Sequence, residues 1–415
     1  MSRHWEPAQL LPWVLSNPQR AARLDTAGWQ RLIWQARSAD LMGQLGFILR
    51  EAGLLLAAPA RARHHFTVAE RVTQQHAEAM RRELDSLHDA LLPVAVPVIL
   101  LRGAAYGATG HRASRGRLLH DIDIMVPHHA LDTVEEYLGR AGWLGAPTHR
   151  YDERHYRQWI HEIPPMEHEH RASVLDVHHA LVPTTSGIRP NAEALFDATS
   201  PVQGAWPHFR VLSPEDMAIH CAAHLFFGEF HRGLRDLYDF HTLVSAHAPE
   251  SPFWDRLQER AFLLGLELPV ADALRQSSRL YETEIPASTL RNFSRKARGM
   301  WPSFMRDWLF AQVLRPPHRS ARDGASRLGN WLATARSRWL LMPLPLLIYH
   351  MSHKLTTHDH PSRHGKASRP SSAHTDVPAP SGRGGVAACM SVCNGYRPRG
   401  HACCARLSAW HWPQG

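Results

Sequence analysis

His120-Asp121-Ile122-Asp123-Ile124-Met125-Val126 sets two acidic residues two positions apart within a run of apolar, mostly branched residues. A period of two is the mark of a strand, so Asp121 and Asp123 share one face while Ile122 and Ile124 turn into a core. Carboxylates fixed side by side raise one another's pKa unless a cation lies between them. A divalent ion that takes oxygen ligands, Mg²⁺ (or Mn²⁺), meets that need and leaves part of its shell to water and phosphates.

Working outward, Val94, Val96, Val98, Ile99, Leu100 and Leu101 form a buried strand that ends at Arg102-Gly103. A glycine at a strand-to-helix turn lets backbone N–H groups approach a phosphate closely. Leu118 to Val126 reads as the second strand. It is followed by an amphipathic helix with Leu131, Val134 and Leu138 on one face, stopped at Gly142. In a third strand, Ser173 to His179, Val174, Asp176 and His178 alternate with Leu175 and Val177, which adds Asp176 as a third carboxylate. Three such groups suit a two-metal centre that activates a hydroxyl and stabilises a leaving pyrophosphate. Arg102, Arg115 and Arg117 lie near enough in sequence to neutralise phosphate charge.

Helical spacing fills the flanks. Leu32, Trp34, Leu41, Leu45, Ile48 and Leu49 recur at helical intervals, with a break at Ala58-Pro59-Ala60, and the N-terminal tryptophans are read as core. Ser213-Pro214-Glu215-Asp216 opens a helix, with Ser213 as cap and Asp216 placed to complete a capping box. The class expected is α+β: a helical region over 1–92, a small mixed-sheet core over 93–200, a helical region over 201–355 and a disordered Ser/Pro/Gly/His/Arg-rich tail over 356–415.

The segment Val96 to Trp143 resembles the uncharacterised nucleotidyltransferase family of the polymerase-β-like superfamily. The resemblance rests on its Leu-Arg-Gly-Ala-Ala turn, Arg117 four residues before Asp121, the Asp-Ile-Asp-Ile-Met-Val-Pro string and the following Ala-Gly-Trp. Leu175-Asp176-Val177-His178 is similar to the family's later Asp-x-His strand, and Leu234-Arg235-Asp236-Leu237-Tyr238-Asp239 to its C-terminal helical region. The resemblance implies transfer of a nucleoside monophosphate from a nucleoside triphosphate, ATP among the candidates. It places Asp121, Asp123 and Asp176 as catalytic metal ligands and Gly103, with Arg102 and Arg117, at the phosphates. Ala104 stands where a second Gly or Ser often follows the turn glycine, and Arg102 where Lys is common. Two other readings remain open at this point: a nucleotide-binding scaffold without turnover, and a metal-dependent phosphohydrolase.

Composition narrows the setting. A formal charge of +9 and a pI near 9.7 suit anionic partners. No aromatic–basic recognition motif favours nucleic acid, so the acceptor is expected to be a small molecule or a protein. Of five cysteines, four lie in the tail, where their spacing is not that of a zinc ribbon, and Cys221 stands alone, which fits a reducing cytoplasm. No run reaches the roughly 20 apolar residues of a membrane span, so integral membrane association is not expected. The apolar run from Trp339 to Tyr349, flanked by Arg336, Arg338 and Lys354, offers a membrane-interface reading, but its prolines argue against a regular amphipathic helix, and a buried C-terminal segment packed on the helical region is expected. His161 to His170, rich in His and Glu, is read as an exposed loop beside the site, with zinc ligation as the lesser reading. His178 and His179 are read as filling a polar strand face, and His220 and His224, four apart, as helix packing.

Overall fold

Branched and apolar residues build the strands at the centre of the chain, and amphipathic helices cover them. The computed structural model describes residues 7–145 and 162–341, apart from positions 172, 184, 185, 189, 251, 298 and 300. The expected tail, its cysteines and the run 342–349 lie outside the described residues.

Seven strands form one mixed sheet: β1 (Val98–Leu101), β2 (Ile122–Met125), β3 (Trp143–Gly145), β4 (Met166–His168), β5 (Val174–His178), β6 (Ser200–Pro201) and β7 (Phe209–Val211). Their spatial order is β3-β4-β5-β2-β1-β7-β6. β1 runs antiparallel to β2 and parallel to β7, while β2 runs parallel to β5. The fold is therefore α+β, as the alternation of strand and helix signals led one to expect.

On the N-terminal side, α1 (Leu10–Ser16), α2 (Thr26–Ser38), α3 (Met42–Glu51) and the long α4 (Ala60–Leu91) precede the sheet. Trp29 is buried edge-on to Phe66, as expected of a core tryptophan. α5 (Arg102–Ala108) and α6 (Leu131–Arg140) connect the first strands. The C-terminal part is helical from Pro214–Phe227 and Gly233–His247 through Gly324–Leu341. One continuous apolar cluster joins all three parts, from Leu10 to Ala333. Among the described residues no helix is long and apolar enough to cross a membrane.

Four local expectations are corrected. β2 begins at Ile122 and not at Leu118, because Arg117 turns inward to Asp239 and the Leu119 carbonyl meets His76 Nδ1 at 2.9 Å, which takes this stretch out of the ladder. The His/Glu-rich segment is more than a loop: Met166–His168 is a strand between β3 and β5, with Ile163 and Met166 buried. It is pinned where Gly142, at φ +88°, turns the chain from α6 into β3; a Cβ there would come within 3.0 Å of Glu169 Oε1. Ser213 caps its helix through the Asp216 N–H at 3.2 Å, but the Asp216 carboxylate is taken by Arg260 at 2.6 Å. Trp339 belongs to the Gly324–Leu341 helix and is 54% exposed, so the expected burial fails there.

Candidate active site

The parallel pairing of β2 and β5 sets Asp123 beside Asp176. Neighbouring strands lie about 4.8 Å apart and paired residues project to the same face, so the two carboxyl groups are brought together. Asp121, two residues earlier, is half-buried at the entrance to β2. The three carboxylates expected from sequence thus lie at one end of adjacent strands.

Cationic groups surround them. β1 gives way to α5 at Arg102, whose φ of +45° is left-handed, a costly conformation for a residue with a side chain. Its guanidinium donates to both Asp123 oxygens at 3.3 and 3.4 Å and lies 4.0 Å from Asp236 Oδ1. His178, two residues beyond Asp176, places Nε2 at 3.3 Å from Asp123 Oδ1 and Nδ1 at 3.5 Å from Glu162 Oε2. Glu162 reaches this position by an antiparallel bridge to His178.

The electrostatics follow from this packing. Burial alone would raise the Asp123 carboxyl, but the Arg102 guanidinium and the bonded His178 overcome it and hold the group far below the ordinary carboxylate range. Asp176 goes the other way: burial, then the charges of Asp123 and Glu162, push it well up against the weaker pull of His178. Burial also raises Glu162, reinforced by Asp123 against the opposing His178. Burial disfavours the His178 cation, yet its bond to Asp123 and the nearby Glu162 carry it up to about 8.

The Pro214–Phe227 and Gly233–His247 helices close the rear of the site. His224 Nδ1 lies 3.9 Å from Asp236 Oδ2, and Asp236 accepts from Arg235 at 2.9 Å. Burial followed by the Arg102 charge lowers His224 to about 3, and burial lowers His220 well below its ordinary value. Both are neutral; His220 is buried, as its reading as helix packing requires, whereas His224 keeps about a third of its side chain exposed.

Gly103 and Arg117 meet each other. A Cβ on Gly103 would lie 2.5 Å from Arg117 Nη1 and 2.6 Å from Leu119 Cδ2. Arg117 itself is buried and donates through Nε to Asp239 Oδ2 at 2.9 Å, while Gln44 bonds the other Asp239 oxygen at 3.2 Å. Gly103→Ala is therefore expected to displace the Arg117 guanidinium and destabilise the fold by about 1–3 kcal/mol, read as a lower urea midpoint at unchanged slope. An unshifted midpoint would show that the turn gives way freely.

Among the described residues no three His, Cys, Asp or Glu side chains form a ready-made metal-holding group. Around Asp123 the space between carboxylates is taken by Arg102 and His178. Sequence reasoning gave no role to Glu162, Asp236 or Arg235, and left His178 a polar filler. A family model described as an uncharacterised nucleotidyltransferase matches residues 25–282.

The chain belongs to this nucleotidyltransferase family.

The match is wider than the stretch that carried the resemblance, reaching from the start of α2 to the end of the Glu267–Tyr281 helix. It takes in Asp239 on the Gly233–His247 helix and the Gln44 on α3 that bonds it, so the carboxylate that holds Arg117 falls inside the nucleotidyltransferase unit. Family membership makes the chain a transferase with a nucleoside triphosphate as substrate. No curated protein and no solved structure matches it.

Proposed function

We propose that this nucleotidyltransferase moves a nucleoside monophosphate from a triphosphate, ATP among the candidates, to an acceptor hydroxyl or phosphate, using Asp121, Asp123 and Asp176. The observation that carries the reading is the side-by-side register of Asp123 and Asp176, with Asp121 at the mouth of the same strand. The donor chemistry suits a hard divalent cation: all are carboxylate oxygens, and the raised Asp176 and Glu162 mark surplus negative charge that such a cation relieves once the Arg102 guanidinium gives up Asp123. When bound, Mg²⁺ or Mn²⁺ held by these three aspartates would neutralise triphosphate charge and make the acceptor oxygen a better nucleophile.

The acceptor oxygen attacks the α-phosphorus, the bond from that phosphorus to the β-bridging oxygen breaks, and pyrophosphate leaves with the electron pair. The acceptor proton passes to Asp176, which the β2–β5 register holds beside Asp123. Gly103 and Arg102 border the phosphates, and Arg117 acts by supporting their turn from below. A small molecule or a protein is the acceptor class we favour, in the cytoplasm.

Calorimetric titration of the full chain with ATP, GTP, CTP and UTP, with and without Mg²⁺, tests this reading. Asp176 must be ionised to serve as a ligand, and its pKa is raised, so Mg²⁺-dependent affinity should climb as pH rises. The limit for one released proton is about tenfold per pH unit. A folded protein that binds none of the four sinks the proposal, and a pH-independent affinity removes Asp176 from it. The Arg102–Asp123 pair favours one other reading, a nucleotide-binding scaffold. That reading requires binding that is indifferent to Mg²⁺.

A further inference from the structure

The net positive charge of the chain lies beyond residue 286. Residues 1–286 hold 28 Lys and Arg against 34 Asp and Glu, whereas residues 287–341 hold eleven against two, Asp307 and Asp323. The family match ends at residue 282, so the basic helices lie beyond the nucleotidyltransferase unit. Two helices of this region, the basic Gly324–Leu341 and the neutral Ser303–Val313 packed on it, carry six large apolar side chains that face solvent: Phe304, Met305, Trp308, Leu328, Trp331 and Trp339, each between 42% and 71% exposed.

These side chains are ordered into faces. Leu328, Trp331 and Trp339 follow i, i+3 and i+11 spacing, which puts them on one stripe of their helix. Arg327 and Arg338, both exposed, stand four before and seven after Trp331 and border that stripe. Phe304, Met305 and Trp308 occupy an arc of about a third of a turn on the other helix. Gln312 packs on Gly329, and the Arg336 guanidinium lies 5.4 Å over the Phe310 ring, so the helices run antiparallel and Phe304 comes to the end where Trp339 stands. The inner sides are fixed: Ser326 and Ser337 are fully buried and Arg306 pairs with Asp272 at 3.2 Å. Among the described residues nothing covers the outer aromatic side chains.

We propose that this face is a peripheral docking surface for an anionic lipid bilayer. Tryptophans at the rim of a cationic helix face are suited to the headgroup level, where indole meets both apolar chains and water. The excess of Arg and Lys supplies the attraction to acidic headgroups. A second copy of the chain would bring the same positive charge to the interface, which disfavours it as the occupant.

Flotation of the full chain with phosphatidylcholine vesicles, alone or with 30% phosphatidylglycerol, tests the proposal. We expect binding to the acidic vesicles to be at least about tenfold tighter, weakened by 1 M salt and accompanied by a blue shift of tryptophan emission. Trp331→Ser/Trp339→Ser and Arg327→Glu/Arg338→Glu alter exposed positions only and should each cut vesicle binding by about tenfold while the melting temperature is kept. Three results would overturn it: no vesicle binding by the folded chain, binding to RNA that the tryptophan substitutions leave unchanged, or a dimer in solution that the same substitutions dissolve. None depends on nucleotide binding, so failure here leaves the reading of the active site standing.

Discussion

Asp123→Asn is expected to abolish Mg²⁺-dependent nucleotide binding and to destabilise the fold, and the two losses have separable causes. The carboxylate is buried between Arg102 and His178, at 3.3 Å from each. Removing its charge takes from Arg102 and His178 their shared counter-charge and leaves them only the longer pairings to Asp236 and Glu162, at a cost of about 3 kcal/mol, or roughly 5 °C in melting temperature. Exchanging the pair for apolar side chains, Arg102→Met with Asp123→Leu, removes both charges and should recover most of that stability. The double variant should still fail to bind Mg²⁺ and triphosphate in the titration. Recovery of stability together with nucleotide binding would show that Asp123 serves only the fold. The His178 contribution runs opposite in pH to that of an ordinary carboxylate: its pKa is raised to about 8, so its stabilisation is complete below the free imidazole value and fades as pH rises through 8.

The second large effect is expected at Asp239. Asp239→Ala strands Arg117, which is 4% exposed and has its guanidinium against Gly103 and 5.9 Å from the Tyr106 ring. The loss should be about 3–5 kcal/mol by urea unfolding. Arg117→Lys should not be benign, since an ammonium cannot reproduce the fixed fork that meets Asp239 while filling the space beside the turn. If Arg117 instead served the phosphates directly, Arg117→Lys would leave stability unchanged and weaken triphosphate binding alone. Urea unfolding and nucleotide titration of the same sample decide between the two.

Much of the fold was legible because its signals are local. Val98 to Leu101 is a continuous branched run, Ile122 and Ile124 alternate with aspartates, and Ser213-Pro214 announces its helix. β7 escaped notice because three residues, Phe209–Val211, are too few to show a period, and its place beside β1 depends on packing over more than 100 positions. The site was legible in part for the same reason. Asp121 and Asp123 share one strand, and Asp176 sits in a second clear alternation. Glu162 was hidden in a stretch whose prolines suggested a loop, and only the pairing of β4 with β5 and the bridge to His178 bring it to Asp123. Arg102 and Arg117 were placed correctly in the chain, but their side chains go to Asp123 and Asp239, partners that a spacing argument limited to neighbours does not reach.

The order in which these partners occur along the chain bears on its synthesis. Arg117 and Asp123 leave the ribosome well before Asp176, Asp236 and Asp239, and α3 with its Gln44 leaves earlier still. At about 5–20 residues per second, the wait from Asp123 to Asp239 is on the order of 10 s. Throughout that interval the guanidinium that will be sealed under Gly103 has no carboxylate to enter with, and dry closure around it is strongly disfavoured. The nascent sheet must therefore stay open and wet at the end that becomes the reaction centre, and the arrival of the Gly233–His247 helix is the event that shuts it.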